Sequence, residues 1–260
     1  MALSYTSYLQ IDTLTQLQKI QSQPPQHDEM LFIVIHQTYE LWFKQILYEF
    51  DLFRRQLENN ESWQAIKTIK RILVIMKTLV GQTDILETMT PLSFNSFRKF
   101  LDTASGFQSL QFREIEIICG IRHPHLNALH KADKKAVKII KEREEESTIW
   151  ESFITMLQKR GYDVNQPERK HERGLTYDPD PETQEILIEI LKGNNELSLL
   201  CEHLIDFDEG LQEWRYRHVK MVERTIGHKT GTGGSAGLDY LRKTLHRVIF
   251  PDLWAIRTQM

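Results

Sequence analysis

Apolar and polar residues alternate along this chain with a helical period almost from end to end. In residues 28–57, DEMLFIVIHQTYELWFKQILYEFDLFRRQL, apolar side chains occupy most of the circumference through Phe50. A helix that is apolar on several sides packs on several sides, so this one is expected at the centre of the fold. Asp28 and Glu29 stand at its start, where acids complement the helix dipole. Residues 62–88 carry Ile66, Ile69, Leu73, Met76 and Val80 on one stripe, with Pro91 just beyond. The helical pattern resumes over 92–120 with a break near Ser105 and Gly106, then over 132–146 as a charged helix with a solvated face. An apolar helix over 150–157 follows.

Residues 161–184, GYDVNQPERKHERGLTYDPDPETQ, hold three of the chain's eight prolines and read as a long exposed loop. A helix restarts near Glu182, and the last long helix spans 197–226 with Gly227 ending it. LDYLRKTLHRVIF, residues 238–250, keeps the helical period up to Pro251. No stretch alternates strand with helix, and no linker or repeat divides the chain. The expected fold is all-α, a bundle of long helices forming a single domain over residues 1–260.

Composition narrows the function classes. At 260 residues and a formal net charge of -3, the chain offers no electrostatic case for nucleic acid or an anionic membrane. No run approaches the ~18 apolar residues that span a bilayer. Its two cysteines, Cys119 and Cys201, stand alone, which excludes a disulfide framework and a cysteine-rich zinc site. MALSYTSYLQIDTL lacks the basic and apolar regions of a secretory signal, so a cytoplasmic protein is expected.

Candidate chemistry sits at a few places. WRYRHVKMVERTIGHKTGTGGSAG, residues 214–237, puts His218 in a helical run and crowds four glycines into its last seven residues. A phosphate loop needs a preceding strand and a lysine after its last glycine, and neither is present. The cluster is then either a flexible connection or a place where backbone comes close to a ligand around Thr232. His218 shares a helix face with Leu211, Trp214, Met221 and Val222. An imidazole there is either a hydrogen-bonded core residue or a ligand facing an apolar slot. His36, with Phe32 and Tyr39 about a turn away, repeats the pattern on another long helix, so the two could line one pocket. Arg98 lies among Phe94, Phe97, Phe100 and Leu101, where a guanidinium suits a carboxylate. Arg113 is the second candidate, with Glu114 and Glu116 as easy local partners; for either arginine the favoured alternative is a surface residue with a buried stem. RHPHLNALH, residues 122–130, lacks the carboxylate or cysteine that would complete a metal site.

Four blocks, HDEMLFIVIHQTYELWFKQIL, SFRKFLDTASGFQSLQFR, WRYRHVKMVERTIG and KTGTGGSAGLDYLR, together resemble tryptophan 2,3-dioxygenases of the bacterial type and extend in family order across most of the chain. The resemblance implies an all-helical homotetramer with one haem b per subunit, active as ferrous iron. The implied reaction inserts both atoms of O₂ across the indole C2–C3 bond of L-tryptophan to give N-formyl-L-kynurenine, the first step of the kynurenine pathway.

Carried over residue by residue, the resemblance makes His218 the axial ligand of the haem iron, with Trp214 and Val222 as pocket wall. His36 becomes the catalytic distal histidine that hydrogen-bonds the indole N–H, and Phe32 packs on the indole. Arg98 pairs with the substrate carboxylate, Ser105 lines the distal side of the haem, and Thr232 helps hold the ammonium and carboxylate. Tyr5 and Tyr8, in an N-terminal segment of about residues 1–25, resemble aromatics that reach a neighbouring subunit's pocket. A haem-binding sensor and a cofactor-free helical bundle are the rival readings. The first has no use for an amino-acid clamp, and a Soret band would remove the second.

Overall fold

The protein's structure, a computed structural model, describes residues 2–122, 133–169, 176–227, 229 and 238–260. Among them there is no strand, and the architecture is the all-α bundle the periodicity predicts. No described helix is long and apolar enough to cross a membrane. The RHPHLNALH histidines from His123 onward and the Thr232 loop lie outside the described residues.

Two short helices, α1 (Tyr5–Leu9) and α2 (Ile11–Leu14), precede the central α3 (His27–Glu58). Glu29 in the first turn of α3 is buried and accepts the backbone N–H groups of Gln21 and Ser22 at 2.7 and 3.0 Å. That contact fastens the incoming chain to the helix start. The next helix, α4 (Ser62–Leu86), returns antiparallel to α3 after a short turn. Thr90 caps α5 (Pro91–Arg98), whose proline occupies the first turn, where a missing N–H costs nothing. The expected break follows as two 3₁₀ turns, Lys99–Leu101 and Gly106–Gln108, before Ser109 caps α6 (Leu110–Ile118).

Beyond these come α7 (Lys134–Glu145), α8 (Ile149–Lys159), α9 (Pro181–Lys192) and α10 (Glu196–Ile226). The most extensive packing joins α4 to α10 and to α3, and α8 covers another side of α3. Gly227 ends α10 with a positive φ of 59° that a glycine adopts without strain, and its N–H meets the Glu223 carbonyl at 3.0 Å.

Three expectations need correction. The helical run predicted over 238–250 is confined to α11 (Leu238–Arg242). Buried Asp208 on α10 accepts the N–H groups of Ile249 and Phe250, at 2.7 and 3.1 Å, and the Trp254 indole N–H at 2.9 Å. Those amides are committed to a carboxylate and not to a helix; Pro251 then starts α12 (Pro251–Ala255). The loop over 161–184 is not wholly exposed, because Val164, Thr176 and Tyr177 are buried and Tyr177 stacks on Trp150 at 5.3 Å and 7°. Nor is α7 merely a solvated face: Ala136 and Ile140 are buried, and Arg143 reaches Asp51 on α3 and Glu114 on α6.

The large apolar core gathers the C-terminal half of α3, most of α4, α8 and the N-terminal half of α10. A second, smaller apolar group, with Ile35, Leu86, Met89, Phe94, Phe97 and Met221, lies at the other end of α3 and α10.

Candidate functional site

That second group walls a cavity of about 270 Å³, close to the lower size limit of small-molecule sites. The N-terminal half of α3, the end of α4, α5, the Gly106–Gln108 turn, the start of α6 and the C-terminal half of α10 converge on it. Phe32, Phe43, Leu86, Phe94, Val222 and Ile226 make much of the wall apolar. Three threonines on it, Thr83, Thr225 and Thr244, donate their hydroxyl protons to the carbonyls of Val80, Met221 and Leu241. The recognition of a polar ligand therefore falls to the remaining polar groups.

Two of these are the histidines that stood out in the sequence, and both open into this cavity. The Nδ1 of His36 lies 2.7 Å from the Phe32 carbonyl oxygen one turn earlier. A carbonyl only accepts, so Nδ1 carries the proton and Nε2 of the neutral ring keeps its lone pair. Burial pushes the His36 pKa down, outweighing the Phe32 bond and the Glu40 charge, which push it up. The Phe32 ring sits 4.1 Å from the imidazole, with Phe97 and Phe94 at 5.6 and 5.8 Å from Phe32.

Enclosure by protein lowers the His218 pKa to about 4, with a further contribution from the nearby His36. The ring is only half-buried by area because its uncovered side faces the cavity. It stacks on Trp214 one turn earlier, centroids 5.4 Å apart and planes 6° from parallel. Tyr39, Phe43 and Phe112 surround Trp214 in turn. Among the described residues no hydrogen bond engages the His218 ring.

A neutral imidazole with an unused lone pair facing an apolar slot has what an axial iron ligand needs. Among the described residues no group of three or more His, Cys, Asp or Glu could hold a bare ion. The described residues offer a metal on His218 no such set, so a group that brings its own ligands, as a porphyrin does with its four nitrogens, suits the site. The residues present fit a haem.

Arg98, the last residue of α5, and Ser105 line the same cavity. The Ser105 hydroxyl oxygen accepts the Phe107 N–H at 3.3 Å, which leaves its proton to a ligand. Ala104 and Gly106 beside it keep that wall low. Tyr5 and Tyr8 on α1 are not brought to this cavity; they are 76% and 71% exposed, and α1 packs on α2 alone among the more extensive helix contacts. The reading of Arg113 as a surface residue does not hold, whereas one of its two expected local partners, Glu116, does pair with it. Arg113 is buried at the cavity wall, while Glu114 turns to Arg143.

Sequence reasoning missed Glu40, Glu116 and Arg215, all on the cavity wall. The signal for Glu40 was its place one turn after His36. It accepts the Gln111 side-chain N–H at 2.7 Å and so ties α3 to α6 beside the cavity. Arg215 offered no local signal, because its carboxylate neighbour lies 99 positions away.

A family model described as tryptophan 2,3-dioxygenase matches residues 1–161 and 126–260 of the chain. A protein of that name from Herpetosiphon aurantiacus is 52% identical over 100% of this chain and 99% of its own. Its counterpart from Anaeromyxobacter dehalogenans is 45% identical over 98% of this chain and 96% of its own. A third, from Caulobacter vibrioides, is 38% identical over 99% and 98%.

Proposed function

The chain belongs to the tryptophan 2,3-dioxygenase family, and from that premise we propose that its cavity holds haem b and L-tryptophan and adds O₂ to the indole ring. It is a dioxygenase of tryptophan breakdown, giving N-formyl-L-kynurenine as the first product of the kynurenine pathway. The observation that carries the reading is the pair of neutral imidazoles, His36 and His218, opening into one apolar cavity from two different helices. Haem, when bound, supplies the iron that activates O₂ for addition across the C2–C3 bond.

The chain's own residues hold and orient. His218 would hold the haem iron, since its lone pair is free of described protein partners and of protons at neutral pH. His36, with its proton fixed on Nδ1 toward Phe32, offers Nε2 to the indole N–H. The indole N–H is a very weak acid, so His36 positions the ring and need not remove its proton. Phe32, backed by Phe94 and Phe97, supplies a dry aromatic surface for the indole. Arg98 pairs with the substrate carboxylate and the Ser105 hydroxyl points a donor at the bound molecules. Thr232, which lies outside the described residues, would help hold the amino acid's ammonium and carboxylate.

Tyr5 and Tyr8, with Leu3 77% and Leu9 42% exposed beside them, form an apolar segment suited to a neighbouring subunit. We assign them to the partner's cavity in a homotetramer. The cytoplasm is the compartment that suits two free, buried cysteines.

The test is anaerobic reduction of the purified protein, then addition of O₂ with L-tryptophan while N-formylkynurenine is followed. Product formation is expected. A Soret band without product would leave a haem carrier, and no Soret band at all would leave a helical bundle.

A further inference from the structure

Arg113, Glu116 and Arg215 form a charged cluster on the cavity wall that none of these roles uses. They are 6%, 3% and 4% exposed. Arg113 Nη1 donates to Glu116 Oε2, and Arg215 Nη2 lies 3.5 Å from Glu116 Oε1. The Arg113 guanidinium is held over the Phe107 ring at 4.6 Å and donates to the Phe107 carbonyl at 3.3 Å. Arg215 is steadied by its bond to the Arg247 carbonyl, also 3.3 Å.

Two guanidinium groups thus share one carboxylate. Arg113 Nε and Arg215 Nη2 are buried without a hydrogen-bond acceptor. Asp208, two turns before Arg215 on α10, does not supply one. Its oxygens are taken by Ile249, Phe250, Trp254 and Gln212, all neutral donors. A buried guanidinium with unused donors is costly until an anion completes it, and its planar fork matches a carboxylate.

We propose that Arg113 and Arg215, braced on Glu116, form a second carboxylate subsite of the cavity, separate from Arg98. The choice of ligand rests on the reading above: a carboxylate of the haem or that of the amino acid would fill it. The full-length chain freed of haem is titrated with haemin and with haemin dimethyl ester, following the Soret band. Binding of L-tryptophan and of L-tryptophan amide to the loaded protein is measured by calorimetry.

In Arg215→Met the preference for one free acid over its neutral form is expected to fall about tenfold or more, the scale of a lost charge-assisted pair. Arg98→Met keeps the haemin preference. Collapse of the haemin preference makes the haem the source, and collapse of the tryptophan preference makes the substrate the source. Both preferences intact in a folded Arg215→Met chain overturn the subsite. Where that variant does not fold, Glu116→Gln decides. The amide keeps the side chain's shape and releases both guanidinium groups, so a preference for an acid rises; unchanged preferences reject the proposal. If the wild-type chain takes up neither haemin nor its ester, the haem reading fails, and the same tryptophan and tryptophan amide titration of the unloaded chain judges the subsite: a preference for the acid that falls in Arg215→Met keeps it, and an unchanged one rejects it.

Discussion

Helices α3 and α10 each pass through two environments. In one, Phe50, Phe53 and Leu57 of α3 and Leu200, Leu204 and Phe207 of α10 belong to one apolar core, all fully buried, with the Phe50 and Phe207 rings edge to face at 5.3 Å. In the other, the same two helices carry His36, Glu40, Arg215 and His218 and leave a cavity of about 270 Å³. Among the described residues neither region contains a strand to mark it. The difference is whether apolar packing is completed. Where it is, the helices hold the molecule together. Where it is not, titratable groups sit on the open wall, and a local break in packing rules marks the site.

Substitutions at matched places on the two helices can break that contrast. The largest functional effect belongs to the open end. His218→Ala should abolish both the Soret band and activity while changing the melting temperature of the haem-free chain little, because no described hydrogen bond depends on the ring. A wild-type spectrum in this variant would remove His218 as the ligand. At the packed end the sign of the trade reverses. Phe50→Ala should destabilise the fold by ~3–5 kcal/mol, read by denaturant unfolding, yet leave the tryptophan KM of the folded fraction unchanged. Arg98→Ala is expected to raise the tryptophan KM about tenfold or more, with haem retained. An unchanged KM there, with a large rise in Arg113→Ala, would move the substrate carboxylate to the buried cluster.

The smallest expected effect is one of pH. Unfolded His218 takes up a proton near its ordinary 6.5, but the folded haem-free chain refuses it until about 4. The folded state therefore has its full share of stability above pH 6.5 and loses it as the pH falls from 6.5 toward 4. Melting temperatures over that window should fall less steeply in His218→Leu than in the wild-type haem-free chain. Equal slopes would mean the imidazole is not held neutral.

The contrast also explains what the sequence could reveal. The long helices were legible because their periodicity is local: the expected bounds 28–57, 62–88 and 197–226 lie within a residue or two of His27–Glu58, Ser62–Leu86 and Glu196–Ile226. The two histidines were legible for the opposite reason, as polar interruptions of apolar faces. What periodicity could not carry were contacts between distant residues. Asp208 captures amides about 40 positions away and cuts short a helix that the local pattern favours. Glu116 and Arg215 meet across the chain, and only the local pair of Glu116 with Arg113 is visible in the sequence. Trp150 draws Tyr177 out of a segment rich in prolines and charge.

The account's central claim is that the two imidazoles of the open end have different jobs, His218 holding the iron and His36 orienting the indole. The haem content of purified His36→Ala, read from its Soret band, tests this most directly. A band of wild-type intensity, with turnover weakened but measurable, is the expected result. A chain that has lost its haem would contradict it and reverse the roles of the two histidines.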